Sequence, residues 1–241
     1  MPQGYYAYIG YNREREPFDD LRIRKALGMA IDVDSIIEFV LYGEGDRVSG
    51  PYYITTPFYN PETPMLPYDP EAAKALLEEA GWVPGPDGIR VKDGKRLEFT
   101  IATNNGNPQR KAIVTIAQNA WKDIGVEVTT QLLEWTVFIE QYTALEFDAV
   151  VLAWAGGSLN PDLYQLWHSS QTGPGQMNRA GYANPEADAL IEEIRRTYDP
   201  ERQRELGHRL HSLIASDHPM TFLYSARANL VLDRKIAQVD L

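Results

Sequence analysis

Apolar residues recur along this chain in two rhythms, every second position and every third or fourth, and the switches between them predict its elements. Gln3 to Asn12 reads as a strand carrying Tyr5, Tyr6, Tyr8 and Tyr11, bounded by the charged stretch Arg13 to Glu16. A helix capped by Asp19 or Asp20 runs to Ala30, with Leu21, Ala26, Leu27 and Ala30 near one face. Arg22, Arg24 and Lys25 fall mostly on the other. A second short helix carries Ile36, Ile37, Val40 and Leu41, and Gly43 stands where a left-handed cap would end it.

Between Lys95 and Ala155 the period changes repeatedly. Leu97, Phe99 and Ile101 alternate as in a strand; Ile113, Ile116, Ala117, Ala120, Trp121 and Ile124 hold helical spacing; Gly125 closes that helix; Val126 to Leu133 alternates again. Trp135, Phe138, Ile139 and Tyr142 mark a further helix, and Phe147 to Trp154 is a continuous apolar run, the pattern of a strand buried on both faces. This β-α-β-α-β order requires at least part of the sheet to be parallel. Two amphipathic helices follow, one with Leu190, Ile191 and Ile194, the other with Leu206, Leu210, Leu213 and Ile214, and a strand near Met220 to Leu232 closes the layer. The fold class is α/β, a mixed sheet flanked by helices.

Punctuation sharpens the boundaries. Asp69-Pro70-Glu71, Asn184-Pro185-Glu186 and Asp199-Pro200-Glu201 each combine an acceptor cap, a proline at the first helical position and an anion in the first turn. From Gly50 to Pro67, five prolines alternate with Tyr52, Tyr53, Phe58 and Tyr59, which predicts an extended loop pinned by its aromatic rings.

Composition narrows the function. A hydrophobic fraction of 44% over 241 residues suits a folded domain with a real core. The net charge of −11 is spread along the chain, which disfavours a nucleic-acid or anionic-membrane partner, since phosphates need a concentrated cationic face. The absence of cysteine excludes disulfides, thiolate metal sites and a cysteine nucleophile. No apolar run approaches the roughly 20 residues of a membrane span, and no signal sequence is visible at the N-terminus. If the protein is secreted, its signal lies upstream of Met1.

The sequence contains no P-loop, zincin, nucleophile-elbow or EF-hand motif. His208 and His211 share a helix at a spacing open to metal, but no third ligand is placed by sequence, and a solvated face is the simpler reading. His168 and His218 stand alone. No catalytic residue, metal or cofactor is assigned. The segment Trp154 to Asp162 leaves the C-terminal end of the buried strand, where open α/β sheets place ligands, and Gly156 and Gly157 let backbone approach a solute closely. Trp154 either walls that ligand or belongs to the core, and sequence leaves both readings open.

Three segments together resemble the peptide and nickel family of ABC-importer solute-binding proteins. They are Pro17-Phe18-Asp19-Asp20-Leu21-Arg22-Ile23-Arg24-Lys25-Ala26-Leu27 with Ala30-Ile31-Asp32, Tyr68-Asp69-Pro70-Glu71-Ala72-Ala73-Lys74-Ala75-Leu76-Leu77 with Ala80-Gly81-Trp82, and Gly181-Tyr182-Ala183-Asn184-Pro185-Glu186-Ala187-Asp188. The resemblance implies a lobe of the type II periplasmic-binding-protein kind, a fragment of a two-lobe receptor. Residues 1–12 would be a hinge-crossing strand, 13–221 the C-terminal ligand-binding lobe, and 222–241 the return strand and the start of a missing N-terminal lobe. The implied location is periplasmic or extracytoplasmic, and the implied partners are a small-molecule solute, the permease subunits and that missing lobe.

The resemblance also implies a site. Trp135, Trp154, Gly156, Gly157, Asn160, Asn178 and Arg179 are its candidate ligand-binding residues. Gly157 stands where peptide-binding relatives carry an acid for the peptide's α-amino group, and Val151 and Tyr142 stand where some use arginines for its carboxylate. Asn160 or Asp162 would have to substitute for the acid. The expected function is therefore capture of a peptide or peptide-like solute between two lobes, with a sugar or opine-like solute as the alternative. A small α/β enzyme and an interaction module are the readings from other classes.

Overall fold

The computed structural model describes residues 4–155, 162–173 and 175–227. In chain order its elements are β1 (Tyr5–Tyr11), α1 (Leu21–Met29), α2 (Val33–Phe39), β2 (Gly45–Arg47), α3 (Pro70–Glu79), β3 (Val83–Pro84), β4 (Arg90–Lys92), β5 (Lys95–Arg96) and β6 (Glu98–Asn104). Then follow α4 (Pro108–Asp123), β7 (Glu127–Leu133), α5 (Trp135–Thr143), β8 (Ala149–Ala155), α6 (Tyr164–Trp167), α7 (Pro185–Arg196), α8 (Pro200–Asp217) and β9 (Met220–Ala226). The main sheet has the strand order β2-β9-β1-β8-β6-β7, and β3, β4 and β5 form a small separate sheet.

The expected mixed sheet is present. β6 pairs parallel with both β7 and β8, while β1 is antiparallel to β8 and β9, and β2 is antiparallel to β9. The proline punctuation marks real helix starts: Asp69, Asn184 and Asp199 each accept a first-turn backbone N–H on their side chains. The same device opens α4, where Asn107 caps and Pro108 follows, several residues before the apolar stripe that revealed the helix. α2 stops earlier than Gly43 suggested, capped at Val40, and the chain then turns through positive φ at Tyr42 and Gly43.

Helices cover both faces of the sheet, so there are two apolar cores. The pleat of β1 divides its residues between them: Ala7, Ile9 and Tyr11 join the core under α1, α2, α3 and α4, while Tyr6 and Tyr8 join the core under α5, α7 and α8. β8 divides the same way, Ala149 and Val151 against Val150 and Leu152, which is why its sequence is apolar without a break. Val151 and Tyr142, the positions aligned with carboxylate-binding arginines, are thereby core residues, one on each side.

Arg24 departs from the expected solvent-facing stripe of α1. Its side chain is buried, and it donates to the carbonyls of Phe18, Asp19, Asp217 and His218. It thus ties the start of α1 to the end of α8, where the carbonyl dipoles favour a cation.

The proline-rich stretch is pinned as its rings predicted, and the pin is a histidine. Tyr52 stacks between Phe58 and His211, and Tyr59 meets His211 edge-on at 4.6 Å between centroids. His211 is fully buried, which corrects the reading of His208 and His211 as a solvated face. His208 reaches the loop as well, with Nε2 3.1 Å from the Pro57 carbonyl. The apolar stripe of α8 extends around to both residues because the loop, not solvent, covers that side.

Candidate functional site at the C-terminal edge of the sheet

Register places a set of strand ends along one edge. Tyr5 opens β1 opposite Ala155, the last residue of β8, and Gly45 opens β2 opposite Ala226, the last of β9. β6 and β7 end on the same side, Asn104 beside Leu133. The edge therefore carries the C-terminal ends of all three parallel strands, and β1 enters and β9 leaves the sheet there. Such an edge, outside the C-terminal ends of the parallel strands, is where open α/β sheets hold ligands.

Trp154 and Trp135 both reach this edge. Trp154 sits opposite Tyr6, half-buried against the core beneath α5 and α8, so it serves the core with one part of its ring and the edge with the other. Trp135 opens α5 directly after β7, its first turn capped by Glu134, and remains 48% exposed, with the Phe138 ring tilted against it at 6.2 Å between centroids. An indole this open at a strand end is a surface for a flat or apolar group. Gly156, Gly157 and Asn160 lie outside the described residues.

Asn178 and Arg179 stand elsewhere. Asn178 is buried, its amide donating to the carbonyls of His168 and Tyr182 and accepting from the Tyr182 N–H. Arg179 donates to the carbonyl of Thr143, the end of α5, and the next turn accepts from Arg13 at Gly181. These anchors lie at the opposite edge, beside Asn12 and Leu145, so the segment closes the lobe's far end instead of lining the edge. Sequence distance misled here, because the chain crosses the sheet's length between Trp154 and Asn178. Asp162 is not free to replace an acid at Gly157: Arg195 holds one oxygen at 3.2 Å and the Tyr164 N–H holds the other at 3.0 Å.

The edge contains a residue that sequence reading passed over. Arg110, in the first turn of α4, donates through Nη1 to Oδ1 of Asn104 at 2.7 Å, and Tyr5, Tyr8 and Tyr224 lie within its electrostatic reach. Burial draws its pKa down, and these hydroxyls only oppose the effect. The Asn107-Pro108 start would have placed Arg110 in the loop-to-helix turn at a strand's C-terminal end. Among the described residues, no three His, Cys, Asp or Glu side chains converge as metal ligands, and no helix is long and apolar enough to cross a membrane.

This architecture has relatives. The model of the bacterial extracellular solute-binding proteins, family 5, matches residues 1–176. The oligopeptide-binding protein AppA of Bacillus subtilis is 36% identical over 236 residues, 96% of this chain and 43% of its own. Heme-binding protein A of Haemophilus influenzae is 32% identical, across 88% of this chain and 38% of its own. The chain thus spans less than half the length of these curated relatives. Among solved structures, AppA in complex with a nonapeptide superposes with a TM-score of 0.88 at 37% identity, covering 94% of this chain and 45% of that one. The dipeptide-binding protein of a Pseudoalteromonas species in complex with Met-Leu superposes at 0.82 and 28% identity, over 94% of this chain and 43% of its own. The topology, the edge where its strands end and the match over residues 1–176 place the chain in the bacterial extracellular solute-binding protein family 5.

Proposed function

We propose that this chain forms one wall of a solute-binding cleft in the extracytoplasmic receptor of an ABC importer. The solute is a peptide or peptide-like molecule held at the edge carrying Tyr5, Asn104, Arg110, Trp135 and Trp154. A second lobe of the same polypeptide closes over it, and the closed form docks on the permease subunits. On this reading the lobe binds and releases, and no bond is made or broken.

The observation that carries the reading is the shared edge. β1 begins and β9 ends where the parallel strands end, which supports a reading in which the chain passes to and from a second lobe beside the place where a ligand would sit. Two crossings at the mouth of a site are the geometry of a hinge, since a small change in a few backbone angles there moves one lobe over the other. The relatives named for oligopeptides and dipeptides give the solute class its support.

A non-peptide solute is favoured by one specific feature. Gly157, Val151 and Tyr142 leave three positions without the charges that would pair a peptide's two ends. Mass spectrometry of whatever co-purifies with the polypeptide carrying this lobe separates the readings: peptides with free amines would exclude a sugar or opine-like solute. For the two-lobe mechanism, calorimetry of the isolated lobe and of the longer polypeptide against the same oligopeptide should show far weaker binding by the lobe. Equal affinity would remove the second wall from the mechanism.

A further inference from the structure

His168 has no part in the solute edge, yet its polar neighbours stand in a fixed order. Its Nδ1 accepts the backbone N–H of Ser170 at 3.1 Å and lies 2.9 Å from the Ser170 hydroxyl. A backbone N–H can only donate, so Nδ1 carries no proton, and in the neutral ring Nε2 carries it. The Ser170 hydroxyl therefore donates to Nδ1, its proton already aimed at a base. On the other side of the ring, Nε2 is buried with no hydrogen-bond partner among the described residues, and Oε1 of Glu192 stands 3.6 Å from it. α7 holds this arrangement from one face: Asp188 accepts both the N–H and the hydroxyl of Ser169, which fixes the turn, and Glu192, one helical turn on, lies beside the imidazole. Tyr164 stacks on the ring at 4.4 Å between centroids, and Ser170 itself is exposed.

A hydroxyl on an imidazole that a carboxylate orients is the arrangement that activates a serine for attack on an acyl carbon. We propose that Ser170 is a covalent acylation site, reactive toward activated esters, with His168 as its base and Glu192 as the residue that positions the imidazole. Oγ forms the bond to the acyl carbon while its proton passes to Nδ1, and the imidazolium faces Glu192 and Asp188. The bond from that carbon to the leaving oxygen then breaks; the oxygen keeps the electron pair and takes the proton from Nδ1. An acyl-serine and an alcohol or phenol result, and His168 is neutral again. Nε2 of Gln171 and the hydroxyl of Tyr164 lie 3.2 and 3.1 Å from Oγ, groups able to donate beside the atom where negative charge develops. A hollow of about 360 Å³ lined by Tyr164, Glu192, Arg195 and Arg196 gives an acyl group room. Asp188 and Glu192 belong to the first two turns of α7, whose cap Asn184 bonds Asp217 at the end of α8. The inference is therefore independent of the receptor reading.

The test is acetylation by p-nitrophenyl acetate at neutral pH, on the longer polypeptide that carries this lobe, with each acetylated serine located by peptide-mapping mass spectrometry. Ser170 should react about 100-fold faster than the other exposed serines, the lower end of what a positioned general base supplies. His168→Gln, which leaves Ser170 in place, should remove that advantage. Glu192→Gln changes a half-exposed side chain. It should slow Ser170 about tenfold or more with the unfolding midpoint unchanged. A merely structural Glu192 would move unfolding and leave the rate alone, which would overturn its positioning role. Acetylation of Ser170 no faster than that of the other exposed serines, or a rate unchanged in His168→Gln, overturns the acylation site. Should His168→Gln fail to fold, the ratio among serines in the wild type still decides.

Discussion

His211 Nε2 lies 2.9 Å from the hydroxyl of Ser49, joining the middle of α8 to the start of the proline-rich loop across 162 residues of sequence. Gly50 follows Ser49 so closely against the imidazole that a Cβ there would stand 2.8 Å from the ring. The ring is hemmed in by Tyr52 and Tyr59 and has little room to give. Gly50→Ala should therefore destabilise the lobe by about 1–3 kcal/mol through overpacking. Ser49→Ala should cost about 1–3 kcal/mol, since it removes two hydrogen bonds, one to His211 and one to Tyr59. Chemical denaturation of both variants checks these losses; an unaltered midpoint for Gly50→Ala would contradict the packing described.

Two histidines make stability depend on pH. Burial pushes the pKa of His211 down to about 3, with His208 adding repulsion, and burial pushes that of His218 down to about 3, with Arg24 and Lys25 adding to it. The unfolded chain protonates both near pH 6.5, so between about 6.5 and 3 it binds more protons than the folded one. Stability is fully present above that window and is lost as pH falls through it, by up to about 1.4 kcal/mol per unit for each group. Urea unfolding at pH 7.5 and 5.5 should reveal a loss of about 3 kcal/mol, about 1.4 kcal/mol from each histidine. His211→Gln and His218→Gln should each flatten the dependence, whatever they do to stability at pH 7.5.

Arg24 should be irreplaceable by lysine. Its guanidinium joins four carbonyls from two helix ends, and an ammonium on a flexible stem cannot span them. Both Arg24→Lys and Arg24→Met leave buried carbonyls without donors, at about 1–3 kcal/mol for each group left unpaired. Calorimetric unfolding of the pair should give similarly large losses. A near-native Arg24→Lys would show that charge alone suffices.

The tryptophans should separate binding from stability. Trp135 is exposed at the ligand edge and Trp121 is fully buried, its indole N–H donating to the Leu27 carbonyl at 2.9 Å. Trp135→Ala should change stability by less than about 0.5 kcal/mol, as surface substitutions do, and weaken solute binding. Trp121→Ala should lose about 3–5 kcal/mol. Solute-dependent fluorescence quenching that survives Trp135→Ala undiminished would take Trp135 out of the cleft.

What the chain's own pattern determined is local. Proline after Asp69, Asn184 and Asp199 sets helix starts because a capping acceptor and a fixed φ act within one turn, whatever the rest of the fold does. The unbroken apolar run of β8 announced burial on both faces, and the change of period between residues 95 and 155 announced a partly parallel sheet. The edge beyond Trp154 was readable for the same reason, as it follows from strand direction alone. Side chains whose partners lie far along the chain were not readable. Arg24 and His211 look like solvent-facing members of amphipathic helices until α8 and the proline loop are laid against them. Asn178 looks like a neighbour of Trp154 until register and chain direction carry it to the opposite edge. Arg110 looks like any surface arginine until Asn104 and the tyrosines of β1 and β9 gather around it. Helix caps and periodicity act over a few residues and are written in sequence, whereas burial and charge pairing are sums over neighbours that only the packed sheet brings together.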